Sequence, residues 1–117
     1  MKLVEIAAVD AYFHINKDYE FLDQDIELAD YVLVYDKSRN DIVIVKPVQL
    51  ERPIAYSNEG NISRQEFEQV IDYLLDELEQ VDTFFRFDII HVFVTKDKHA
   101  LLRHHVNVIP YEEEGTE

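Results

Sequence analysis

The chain has 117 residues, 47% of them hydrophobic and 12% aromatic, enough for one sizeable core. With no cysteine, that core must hold without disulfides or thiolate-bound metal. The formal net charge of −14 lies outside the magnitude of roughly 2–8 usual for a small soluble domain, and it argues against nucleic acid or an anionic membrane as a direct partner.

Residues 1–15, MKLVEIAAVDAYFHI, are interrupted by Glu5 and Asp10 and lack the long uncharged run of a signal peptide or membrane span, so a soluble, cytoplasmic protein is expected. Residues 2–9 and 11–15 read as one strand, or as two joined at a bulge, although Ala7 and Ala8 would also suit a helix. Residues 16–25 are acidic and follow neither period, as in a loop held down by the rings of Phe13, Tyr19 and Phe21. Residues 30–36 (DYVLVYD) and 41–46 (DIVIVK) form the clearest hairpin of the chain, turning at 37–40. Both runs are apolar at nearly every position, which implies central strands covered on two faces. Pro47 and Pro53 are expected to stop further pairing, and 57–61 (SNEGN) to turn the chain into a helix.

That helix, over 62–81, has the strongest periodicity in the chain. Phe67, Val70, Ile71, Leu74, Leu75, Leu78 and Val81 recur at three- and four-residue spacings. Ser63 and Glu66 fit a capping box, and Ile62 and Phe67 the two ends of a hydrophobic staple. The opposite face carries Glu66, Glu68, Asp72, Asp76, Glu77 and Glu79, with Arg64 the sole basic residue between Ser63 and Val81. Glu68, Asp72 and Asp76 repel one another at four-residue intervals, and Asp76, Glu77 and Glu79 crowd the negative end of the helix dipole. Stability alone would not select them.

Residues 84–94 (FFRFDIIHVFV) read as a long strand, with Phe85, Phe87, Ile89, His91 and Phe93 as the better core face. After a charged turn at 95–99, residues 100–109 return as a second strand ended by Pro110. Residues 112–117 hold four acids and are expected to be a disordered tail to a single domain spanning 1–111. The expected fold is α+β: an antiparallel sheet of about five strands with one long amphipathic helix on one face. One helix covers only one face of strands apolar on both, which points to a homodimer.

Charge is uneven along the chain. Over 16–30, six acids face Lys17 alone, a net of −5; over 59–82, eight acids face Arg64 alone, a net of −7. Over 83–111, Arg86, Lys96, Lys98 and Arg103 outnumber Asp88 and Asp97, a net of +2 before any of four histidines is protonated. With Gly60 and Gly115 as the only glycines, glycine-rich phosphate loops are absent.

Two functional expectations follow. The first is a non-enzymatic, acidic protein-binding module, an inhibitor of a basic, nucleic-acid-handling protein, with Glu68, Asp72, Asp76, Glu77 and Glu79 as the partner-binding residues. A helical row of carboxylates every ~6 Å has about half the charge density of a DNA strand with a phosphate every ~3.4 Å, so a DNA mimic fits. Small acidic inhibitors encoded by phages and mobile elements are similar in size and charge, a similarity of composition that assigns no residue a role. The alternative is a small enzyme or a ligand- or metal-binding domain built on Asp88, His91, His104 and His105 of the C-terminal hairpin. Alternation sets Asp88 against His91 and His104 against His105 on opposite faces, so such a site needs pairing across the hairpin, where His91 would lie roughly opposite Arg103 or His104. No metal-ligand spacing is present, and neither metal nor cofactor is expected.

Overall fold

The computed structural model describes residues 3–22, 30–53, 57–78 and 82–113. Seven elements follow one another: α1 (Leu3–Ile15), β1 (Tyr19–Phe21), β2 (Val32–Asp36), β3 (Asp41–Gln49), α2 (Arg64–Glu77), β4 (Phe84–Val94) and β5 (Ala100–His105). The strands form one sheet in the order β1-β2-β3-β4-β5. The fold is α+β, but the sheet is mixed. β3 and β4 run parallel, while the other three pairs are antiparallel. Two parallel neighbours need a long crossover, and the segment containing α2 provides it.

The amino terminus corrects the expectation of a strand. α1 is helical, and its Val9 and Phe13, four residues apart, are buried with Tyr12 packed beside them. The run misreads as a strand because its outward positions are apolar too: Ile6 and Ile15 are exposed. α1 also corrects the expectation of a single helix. Val9 and Phe13 pack on Val34, Val43, Val45, Ile90 and Val92, while on the other face Val70 and Leu74 of α2 join Ile44, Ile62, Phe87 and Ile89. The sheet therefore has both covers within one chain, and the premise for a second subunit falls away. In the same way β4 has no single core face, since Arg86, Asp88, Ile90 and Val92 are buried along with Phe87, Ile89 and His91.

The central hairpin forms as expected, with Asp36 opposite Asp41 and Val32 opposite Val45. Its turn closes on Asp36, whose Oδ1 accepts from the Ser38 N–H and hydroxyl and the Arg39 N–H, and Asn40 takes the left-handed conformation at φ 58°. Pro47 does not stop β3, which continues to Gln49 alongside β4. The Leu50 N–H donates to the Val92 carbonyl, so the alternate residues Val48 and Lys46 face β4. Pro47 faces the other side, where β2 has already ended, and its missing N–H leaves no partner unserved. Residues 16–25 are likewise not all loop, because Tyr19–Phe21 pair with β2.

α2 starts where expected. The Ser63 hydroxyl accepts from the Glu66 N–H at 3.1 Å, and Ile62 and Phe67 share the core cluster under the helix. Only half of the capping box forms, because the Glu66 carboxylate instead accepts from the Tyr31 hydroxyl. The helix ends at Glu77. Of its expected continuation, residues 79–81 lie outside the described residues. The turn before it depends on Gly60, at φ +93°, where an added Cβ would stand 2.3 Å from Val48 Cγ2. A valine on a strand has little freedom to move aside. Gly60→Ala should therefore cost about 1–3 kcal/mol as overpacking, read as a lower urea midpoint with an unchanged slope.

β5 stops at His105 rather than Ile109. Asn107 turns left-handed at φ 57°, and the Val108 N–H donates to the Phe87 carbonyl at 2.7 Å. Because His105 sits opposite Ile89, three residues here span two of β4, the count of a bulge. The chain then bridges Tyr111 to Ser63 at the start of α2. Of the acidic tail, Glu112 lies 3.6 Å from Arg64 and residues 114–117 lie outside the described residues. No helix among the described residues is long and apolar enough to cross a membrane.

Candidate functional site

Of the five acids singled out on α2, Glu68, Asp72, Asp76 and Glu77 are exposed, and Glu79 lies outside the described residues. Glu68 pairs with Arg64 at 3.2 Å; Asp72, Asp76 and Glu77 have no ion-pair partner among the described residues. Two apolar side chains stand out from the same helix. Leu75, expected in the core stripe, is 47% exposed, and Tyr73 is 39% exposed. At 100° per residue, Leu75 falls next to Glu68 and Asp72, and Tyr73 falls between Asp76 and Glu77. Leu75 and Tyr73 thus lie about 160° apart around the helix, one toward each edge of the acidic arc.

The four residues of the alternative site are brought together only in pairs, and the sheet separates the pairs. On the α1 side, His104 Nε2 donates to Asp88 Oδ2 at 2.7 Å, and the Tyr12 hydroxyl donates to His104 Nδ1 at 2.9 Å. On the α2 side, His91 Nε2 donates to the Glu59 carbonyl at 2.9 Å, which leaves His91 Nδ1 to accept from His105 Nε2 at 3.0 Å. Both contacts are diagonal, since the residue directly opposite His91 is Arg103 and the one opposite His104 is Ile90.

The Asp88–His104 pair belongs to a larger buried network that sequence reasoning missed. Arg86 sits on the α1 side of β4, and each of its five N–H groups has an acceptor. Nε and Nη2 grip Asp88 at 2.9 and 3.0 Å, Nη1 reaches Asp36 at 2.6 Å and Asp41 at 3.2 Å, and Nη2 also meets the Tyr19 hydroxyl at 3.0 Å. Asp88 is equally full, because Asn107 N–H and His104 supply its remaining donors. Burial alone would raise the Asp88 carboxyl, but the hydrogen bonds from His104 and Arg86 outweigh it and hold the group below its ordinary range. Asp36 is lowered in the same way, with burial overcome by Ser38 and Arg86.

An Asp–His–hydroxyl order resembles a proton relay, but a relay must end on a group able to meet substrate. Here the outer end is the hydroxyl of half-buried Tyr12, hydrogen-bonded to His104, while every donor of Arg86 and both oxygens of Asp88 are spent inside the protein. The arrangement locks α1, β1, the hairpin and β4 together. Among the described residues no three of His, Asp or Glu are placed to hold a metal. A small hollow lies beside His91, lined by Leu50, Phe93, Leu101, Leu102 and Arg103.

No family model, curated protein or solved structure matches the chain.

Proposed function

We propose that the chain is a non-enzymatic binding module whose α2 face receives a basic protein, and that it inhibits a cytoplasmic partner that itself handles nucleic acid. The observation that carries this reading is the presence of Leu75 and Tyr73, exposed among Glu68, Asp72, Asp76 and Glu77. A face kept only for solubility gains nothing from large apolar side chains, whereas a protein interface takes much of its affinity from apolar and aromatic anchors beside its charged residues. Carboxylates that repel one another on the free helix are relieved when Lys and Arg side chains approach, and their field speeds encounter. In a DNA mimic, Glu68, Asp72 and Asp76 take the place of phosphates against the partner's basic surface. The filled Arg86 network offers no comparable support to catalysis.

The test is association kinetics between this protein and basic nucleic-acid-binding proteins captured from its native host, at 0.05 and 0.5 M salt concentrations chosen, in order of magnitude, to shorten the Debye length below about 5 Å. The on-rate should fall at least about tenfold across the series. Leu75→Ala should raise the off-rate while leaving the salt dependence intact. An on-rate indifferent to salt, or an affinity unchanged by both Leu75→Ala and Asp72→Asn/Asp76→Asn, would end the proposal.

A further inference from the structure

The two histidine pairs differ in one respect. The Asp88–His104 contact is embedded in a network with no vacancy, whereas the His91–His105 contact joins two imidazoles through one shared proton beside an open hollow. We propose that His91 Nδ1 and His105 Nε2 form a two-histidine site for a divalent transition metal of the copper(II) or nickel(II) class.

The geometry favours that class. The two nitrogens are 3.0 Å apart, and metal–nitrogen bonds of about 2.0–2.1 Å across that gap subtend roughly 95° at the metal. This is the cis angle of a square-planar or octahedral ion, well short of the tetrahedral angle that zinc prefers. The orientation is also set in advance. The His91 Nε2–H is committed to the Glu59 carbonyl, the outer hydrogen bond that fixes a ligating histidine's tautomer and leaves Nδ1 as the lone pair.

His105 is the ring that must give up the hydrogen bond between the two, since its Nε2–H is the donor to His91 Nδ1. Its proton moves from Nε2 to Nδ1, and the metal takes the place between the rings. The protein supplies two ligands, since no third is placed among the described residues. The remaining positions fall to water or a small anion; the hollow lined by Leu50, Phe93, Leu101, Leu102 and Arg103 opens on the His91 side of the pair. The Arg103 guanidinium opposes the cation and favours an anionic co-ligand.

The experiment is calorimetric titration of the full chain with copper(II), nickel(II) and magnesium chlorides in a non-coordinating buffer. One equivalent of copper or nickel should bind saturably and raise the melting temperature. His105→Ala should weaken binding roughly 10–100-fold, at least the cost of losing an outer-shell partner. Arg103→Gln should tighten it, and His99→Ala, in the exposed 95–99 turn, should leave it unchanged. In the unsubstituted protein, paramagnetic broadening should fall first on the imidazole signals of His91 and His105, a readout that does not depend on any variant folding. Binding that survives His105→Ala, that magnesium matches, or whose broadening centres on Asp72 and Asp76 would assign the ion to the acidic surface and overturn the site.

Discussion

Arg86→Met should lower the unfolding free energy by about 3–5 kcal/mol, because it strands buried carboxylates without the cation that compensates them. Arg86 is 4% exposed and Asp36 3%, Asp88 is wholly buried, and Asp41 is partly covered, so water cannot take over the lost charge. Methionine fills much the same volume, which keeps the effect electrostatic and separates it from a packing defect. The pH dependence gives the sharper signature. In the unsubstituted protein Asp36 and Asp88 are held below their ordinary values. Their contribution is therefore complete above an unfolded carboxylate pKa of about 3.9 and is lost as pH falls through the folded values.

In Arg86→Met, burial acts on Asp88 with only His104 and Asn107 against it, and the carboxyl rises. The variant should then gain stability as pH falls from 7 toward 5, over a range where the parent's Asp36 and Asp88 contribute no slope. Urea unfolding at pH 7, 6 and 5 measures both slopes. A variant within about 1 kcal/mol of the parent at pH 7, or with a parallel pH profile, would show that the network is not what locks this face.

The same network marks the limit of what could be read from the residues in order. The β2–β3 hairpin and the start of α2 are legible because local signals agree: β-branched runs around a polar turn, and Ser63 with Ile62 and Phe67 at cap and staple spacing. α1 is not legible, because Ile6 and Ile15 make its outer surface as apolar as its inner one and periodicity has nothing to separate. Strand direction leaves no trace in alternation either. The one clue to the parallel β3–β4 pair is the order strand, helix, strand, in which a crossover is the natural connection.

Within the site, Arg86 and Asp88 stand two apart in a strand that is otherwise apolar but for His91, a signal that a buried pair shares one face. Their partners are another matter. Asp36 lies 50 residues from Arg86, and Tyr12 lies 92 residues from His104, so only the fold brings them together. Leu75 fails for the opposite reason, since its spacing fits the buried stripe but it falls at the stripe's edge, outside the cluster that Val70 and Leu74 join, and stays exposed.

If α1 is the second cover of the sheet, Phe13→Ala should cost about 3–5 kcal/mol and change how the chain behaves in solution. Phe13 is 1% exposed and meets the rings of Tyr12 and Tyr19 at centroid distances of 5.2 Å, His104 at 5.8 Å and Phe21 at 6.2 Å. Its removal opens a void between the helix and Val34, Val43, Val45, Ile90 and Val92. A cavity of that kind loses both the transfer free energy of the ring and the edge contacts that hold Tyr19 over Arg86, where the guanidinium lies 5.9 Å from the ring centre. α1 should then detach at lower denaturant than the rest of the fold, baring one apolar face of the sheet. A bare face of that size seeks another cover. Phe13→Ala should therefore bind a hydrophobic dye and sediment as a larger, concentration-dependent species, with the parent as reference. Should the variant unfold in step with the parent, within about 1 kcal/mol, and bind no dye, the contact between α1 and the sheet would not be the cover that makes a second subunit unnecessary.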